Sequence, residues 1–197
     1  NFTRAANNWL VELTWDDIVP QTGGEEADFE DGVLPDGWST TTNSAVGWYI
    51  TEDATSSYWS VPGGDGFYAA SNDDAANDDG SVDYLMMPPI NIPDEGSTLV
   101  FSSYFNGAYS HTAHVEVSVD SGASFTEVYL VPSSDDWSSH TVDLGAYAGE
   151  SNVTVAFHSN DNGGWASGWC VDNVYLGGEE YVGFAHFEGY NVYSGAE

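Results

Sequence analysis

The stretch Trp165-Ala166-Ser167-Gly168-Trp169-Cys170-Val171-Asp172-Asn173-Val174-Tyr175-Leu176 decides the fold class. Its β-branched and aromatic residues suit a strand, and alternation sets Cys170, Asp172, Val174 and Leu176 on one face. A carboxylate then points where its neighbours are dry. Burying an unpaired charge costs several kcal/mol or more, so Asp172 needs a partner. The chain holds a single Lys or Arg, Arg4, against 32 Asp plus Glu. A hard metal ion is therefore the expected counter-charge for an inward carboxylate.

The same period-2 pattern recurs in the chain that precedes this stretch. Leu99, Phe101, Ser103 and Phe105 alternate with their neighbours; Val115, Val117 and Val119 oppose His114, Glu116 and Ser118; Val153, Val155 and Phe157 oppose Thr154, Ala156 and His158. Each reads as a half-buried strand of a sandwich. Further strands are expected over Trp48–Thr51, Tyr58–Val61, Phe67–Ala70, Tyr84–Met87, Phe125–Val131 and Trp137–Leu144. Asp120-Ser121-Gly122 reads as a hairpin turn. Pro88, Pro89 and Pro93 cannot sit in a central strand, so Pro88 to Gly96 reads as an edge or crossover connection. No window shows convincing helical spacing, so the chain is expected to be all-β.

Composition narrows the function classes. With 197 residues, 41% hydrophobic and 15% aromatic, the chain buries a core despite a formal charge of −31. Phosphate backbones and anionic membranes are bound through clustered Lys and Arg, which this sequence lacks, so neither is an expected partner. No run of about 18 apolar residues exists to span a bilayer. One cysteine, Cys170, excludes an internal disulfide and reads as a small buried hydrophobe. Three segments follow: 1–24, with strand-like Trp9–Trp15 and a Pro20, Gly23, Gly24 linker; a core module over 25–178; and 179–197, with strand-like Tyr181–Phe187 and Tyr190–Tyr193. Short ribbons such as the two flanks are not stable alone and must dock on an edge.

Four motifs in order carry a resemblance: Phe29-Glu30-Asp31-Gly32 with Leu34-Pro35-Asp36-Gly37-Trp38, then Ala69 to Asp74, Asp83 to Ile90, and Trp165 to Leu176. Together they resemble the cleaved-adhesin or choice-of-anchor (MAM-like) jelly-roll modules of secreted bacterial surface proteins, over about Asp28 to Gly177. Gly189-Tyr190-Asn191-Val192-Tyr193 resembles the start of a fibronectin type III-like repeat. The resemblance implies an antiparallel jelly-roll β-sandwich with flanking strand extensions, an extracellular, secreted or cell-surface location, and structural calcium. The implied ligands are Glu30, Asn72, Asp73 or Asp74, and Asp172. Family members often carry cysteines near Asn77–Asp79, and this chain has none there.

No nucleophile elbow, zinc-protease helix or phosphate loop is present, so no catalytic residue is named. His111 and His114 fall on opposite strand faces and read as solvent-facing residues, not a metal pair. Glu116 and Glu127 are placed across a hairpin in the manner of a glycosidase pair, which makes a glycoside hydrolase the last alternative. Six aromatics near loops, Trp48, Tyr58, Trp59, Tyr109, Trp137 and Trp165, support carbohydrate binding, with Trp59, Tyr109 and Trp165 as the candidate ligand-binding set. The leading expectation is a non-catalytic adhesive module, calcium-stabilised and self-associating through its flanking strands, with a homo-oligomer or filament as product. Glycans or surface proteins are the other expected partners, and a carbohydrate-binding module is the first alternative.

Overall fold

In a computed structural model, residues 25–64, 66–77 and 80–177 are described. The expected flanking strands within 1–24 and 179–197 lie outside them. Eleven strands form two antiparallel sheets: β1 (Glu25–Ala27), β2 (Ser39–Thr42), β3 (Trp48–Thr51), β4 (Tyr68–Ser71), β5 (Val82–Met86), β6 (Thr98–Phe105), β7 (Thr112–Ser118), β8 (Thr126–Leu130), β9 (Ser138–Asp143), β10 (Thr154–Asn160) and β11 (Trp169–Gly177). One sheet runs β3-β4-β11-β6-β9, with β1 also on β11; the other runs β2-β5-β10-β7-β8. The chain crosses repeatedly between them, which makes an antiparallel jelly-roll β-sandwich. The proline-rich connection is one such crossing, from β5 to β6.

Alternation explains the core. Leu99 and Phe101 of β6, Val115 and Val117 of β7, and Val155 and Phe157 of β10 all point between the sheets. The rings interlock edge to face, with Phe101–Phe157 centroids 5.1 Å apart, Phe157–Trp169 5.8 Å and Trp48–Trp169 5.4 Å. Each such buried side chain contributes about 1.5–3 kcal/mol. In the β7–β8 hairpin Ser121 and Gly122 both take positive φ, 61° and 82°, as a primed turn requires. Val119 falls past the end of β7 and is 52% exposed, so it leaves the alternation that its neighbours obey.

Four expectations need correction. First, Tyr58–Val61 is not a strand: the loop 52–62 folds over the outer face of the six-stranded sheet. There Trp59 joins Tyr68, Ala70, Tyr104 and Cys170 in a second apolar layer. Second, β11 does not alternate unbroken. The pairing of β11 with β6 shifts by one residue between Asp172 and Tyr175, and Asn173 sits at φ 49°. This bulge flips the strand's parity. Trp169, Val171, Val174 and Leu176 face the core, while Cys170 packs with the outer layer, so Asp172 does not share a face with Val174 and Leu176. Third, His111 is buried, not solvent-facing. Fourth, a single helical turn, α1 (Asp73–Ala76), interrupts the all-β chain, capped by the Asn72 side chain on Ala75 N at 2.9 Å.

Candidate functional site: an exposed aromatic platform

Three loops meet where β4, β6 and β10 end and β11 begins, and each brings one aromatic ring. Tyr58 comes from the 52–62 loop, Tyr109 from the β6–β7 connection and Trp165 from the β10–β11 connection. Tyr58 is 81% exposed and Tyr109 65%, and Trp165 is half-buried between them. Trp165 meets Tyr109 edge to face at 4.5 Å and Tyr58 at 6.2 Å. Exposed aromatics are commonplace singly, but here two exposed tyrosines on separate loops both meet Trp165 on a third, which makes a contiguous patch.

The backbone is bent to present them. Gly107, Tyr109 and Ser110 take φ of 63°, 61° and 68°. Glycine enters that region freely, whereas a bulky residue such as tyrosine does so only when its surroundings hold it there. Asn162 supplies the hold: its amide donates to Ser110 O at 2.8 Å and to Thr112 Oγ1 at 3.0 Å. The backbone that carries the other two rings is anchored on buried carboxylates. Tyr58 N donates to Asp74 Oδ2 at 2.8 Å, and Ser56 Oγ donates to the same oxygen. Ala166 N, next to Trp165, donates to Asp73 Oδ2 at 2.5 Å. Gly163 N, in the Trp165 loop, donates to Asp161 Oδ1 at 2.8 Å, while Gly80 N and Ser81 N donate to its Oδ2 at 2.7 and 2.8 Å.

Of the expected ligand-binding set, Tyr109 and Trp165 stand together. Trp59 does not belong with them: it is 1% exposed and stacks on Tyr104 at 6.0 Å. A Cβ on Gly168 would meet its ring at 2.5 Å, so the missing side chain of Gly168 makes its slot. Its neighbour Tyr58 is the exposed member of the pair. Trp48 is buried with its Nε1 on Asp83 O at 3.2 Å, and Trp137 is half-buried with its Nε1 on Pro62 O at 3.1 Å.

The expected calcium ligands are not gathered. Among the described residues no group of three or more His, Cys, Asp or Glu is placed to hold a metal ion. Asn72, Asp73 and Asp74 flank the start of α1, beyond the Ser71–Trp169 pairing, whereas Asp172 lies three residues the other way along β11. At about 3.3 Å per residue that separates Asp172 from Trp169 by about 10 Å. Asp172 accepts from Asn173 N at 2.7 Å and Asn173 Nδ2 at 3.0 Å. Glu30 is exposed, with its carboxylate over the α-carbon of Gly66. These residues do not fit one calcium centre. Backbone N–H groups, an amide and hydroxyls take the place of the cation or metal expected for buried carboxylates. Asp83 shows the same solution, accepting from Thr42 Oγ1 at 2.5 Å and Ser71 Oγ at 2.8 Å.

Glu116 and Glu127 do face each other across the β7–β8 hairpin. Each is occupied by histidine: Glu116 Oε1 by His158 Nδ1 and Glu127 Oε2 by His114 Nδ1, both at 2.7 Å. His111 Nε2 is within 2.8 Å of Ser159 Oγ, and burial lowers its pKa to about 4. Burial, followed by the nearby Asp172, pushes the Cys170 thiol well above its ordinary range, which suits an inert packing residue. No helix among the described residues is long and apolar enough to cross a membrane.

Comparison with known proteins agrees with this architecture. The K1 cleaved adhesin domain of Lys-gingipain from Porphyromonas gingivalis W83 superposes with a TM-score of 0.59 at 18% identity, over 80% of this chain and 99% of that one. The K3 cleaved adhesin domain of the same protein gives 0.57 at 20% identity, over 77% and 97%. TmCBM61, solved in complex with beta-1,4-galactotriose, gives 0.50 at 14% identity, over 76% and 92%. At these identities the likeness is one of fold. No curated protein matches the chain. The MAM domain (meprin/A5/mu) description matches residues 27–180, nearly the whole sandwich, and the chain therefore belongs to the MAM domain family.

Proposed function

We propose that this chain is a non-catalytic extracellular adhesive module that binds glycan on the platform of Tyr58, Trp165 and Tyr109. The observation that carries the reading is the meeting of Tyr58 and Tyr109, both widely exposed, with Trp165 between them, each ring from a different loop. Pyranose rings present apolar C–H faces that stack on aromatic faces, and the hydroxyls around them need donors and acceptors nearby. Ser57, Ser110 and Asn162 are exposed on the same loops and supply them. Support from kinship is that cleaved adhesin domains and a galactotriose-bound module share the fold. Both carboxylates of the would-be hydrolytic pair are held by histidines, which argues against hydrolysis.

The test is a glycan array followed by titration of hits against wild type, Trp165→Ala and Tyr109→Ala. Losing a buried aromatic contact removes about 1–3 kcal/mol, so each variant should bind about 5- to 150-fold more weakly. Unchanged melting of both variants would assign the loss to the site. Binding that survives both substitutions, or an array without hits, overturns the reading.

A further inference from the structure

The carboxylates that build the platform also charge it. Tyr58 is anchored by Asp74, the backbone after Trp165 by Asp73, and the loop before it by Asp161. All three side chains are buried against the backbone of the loops that carry Tyr58 and Trp165, so their charge lies within those loops in poorly screened surroundings. No Lys or Arg occurs among the described residues, the only one in the chain being Arg4. Among the described residues no Lys or Arg stands at the platform to offset an anionic ligand.

We propose that the platform selects by charge, taking uncharged glycans and rejecting those that carry uronate, sialate or sulfate groups. This rests on the glycan-binding reading and adds the ligand class. A neutral sugar stacks on the rings and hydrogen-bonds to Ser110 and Asn162 without meeting the field. An acidic sugar brings its carboxylate or sulfate to loops whose backbone is anchored on Asp73, Asp74 and Asp161, and is repelled by their charge. Geometry sets the length as well. Tyr109 and Tyr58 both touch Trp165, so the outer rings are no further apart than the 4.5 and 6.2 Å steps laid end to end. The site accommodates a short oligosaccharide, with longer chains running off both ends.

The experiment measures affinity for neutral oligosaccharides and for oligouronides of equal length, using wild type, Asp74→Asn and Trp165→Ala, at about 0.01 M and about 1 M sodium chloride. Screening shortens from about 30 Å to about 3 Å between these salts. The expected result is neutral ligand bound about tenfold or more tightly than acidic at low salt, a gap that narrows at high salt. Both donors to Asp74 converge on Oδ2, so the single oxygen of asparagine replaces it without losing them. Asp74→Asn should therefore reduce the neutral-to-acidic ratio. Equal, Trp165-dependent binding of both ligands at low salt overturns the selection while leaving glycan binding intact. A ratio unmoved by Asp74→Asn overturns the assignment to the carboxylates that anchor the loops. Binding indifferent to Trp165→Ala, or no binding of either class, overturns the glycan reading itself.

Discussion

Asp161 offers the sharpest test of how this protein buries charge without cations. It lies just past β10, 2% exposed, and joins two segments: Oδ2 receives Gly80 N and Ser81 N ahead of β5, and Oδ1 receives Gly163 N in the platform loop. Hydrogen bonds to a charged acceptor contribute about 1.5–3 kcal/mol each, and a buried donor stripped of its acceptor costs about 1–3 kcal/mol. Asp161→Ala removes all three acceptor positions. Gly163 is exposed and regains water, but Ser81 is buried, so a loss of about 3–5 kcal/mol is expected. Asp161→Asn keeps one oxygen, which serves Gly80 and Ser81, and loses the part-buried bond to Gly163, at about 1–2 kcal/mol. At about 2–4 °C per kcal/mol for a domain of this size, midpoints should fall by about 6–20 °C and about 2–8 °C.

Thermal unfolding in excess chelator separates this account from one in which a bound ion offsets the charge. With N–H donors as the partners, the order in chelator is wild type, then Asn, then Ala. With a stripped ion, wild-type Asp161 would be an uncompensated buried anion, and the neutral asparagine would melt at the same temperature or higher. That order of midpoints would overturn N–H donation as the partner of Asp161.

Burial holds the His111 pKa at about 4, below the unfolded value of about 6.5. The folded state thus refuses a proton that the unfolded chain accepts: its contribution is whole above about pH 6.5 and drains away as the pH falls to about 4, to a total of about 3 kcal/mol. His111→Gln should remove that part of the acid slope in denaturant titrations, and a parallel slope would count against it. Gly168→Ala would place a Cβ 2.5 Å from the Trp59 ring and 2.6 Å from Ser71 O, which cannot retreat from its strand, so a loss of about 1–3 kcal/mol is expected in chemical unfolding. Calcium at Glu30, Asn72, Asp73, Asp74 and Asp172 is checked by the same melts. Since these residues do not form one centre, chelator should leave the wild-type midpoint within about 2 °C, whereas a drop of several degrees together with stoichiometric metal by elemental analysis would restore the ion.

The strands that sequence made legible are those with an apolar face and a polar one. β3 coincides with its expected span, and β6, β7 and β10 follow their valines, leucine and phenylalanines. β1 and β2 escaped notice for the complementary reason. Glu25-Glu26-Ala27 and Ser39-Thr40-Thr41-Thr42 have no alternation to read; β2 is exposed throughout and is held by pairing with β5. Their partners supply the strand, and partnership is absent from local pattern. Asn173 is a subtler case. One asparagine in the left-handed region carries a bulge, and it moves Asp172 to the other side of the sheet from Val174. Asparagine tolerates that conformation, but nothing in an otherwise strand-like run announces that it adopts it.

The platform was half legible for a related reason. Residue type nominated Tyr109 and Trp165, because aromatics in loops are good stacking surfaces wherever they emerge. Choosing between Tyr58 and Trp59 needs Gly168, more than a hundred residues along the chain, whose bare α-carbon leaves room for one indole and so turns the adjacent phenol outward. The carboxylates show the same dependence on distance in sequence. Composition counts one cation and 32 acids and so demands a foreign charge, yet composition does not count main-chain N–H groups. Asp161 finds two of its three donors some eighty residues away, and Asp73 finds Ala166 more than ninety away. A sheet sandwich whose strands end in converging loops collects such donors at one rim. An acidic chain without a lysine can therefore anchor the loops that carry its aromatic rings on its own buried carboxylates.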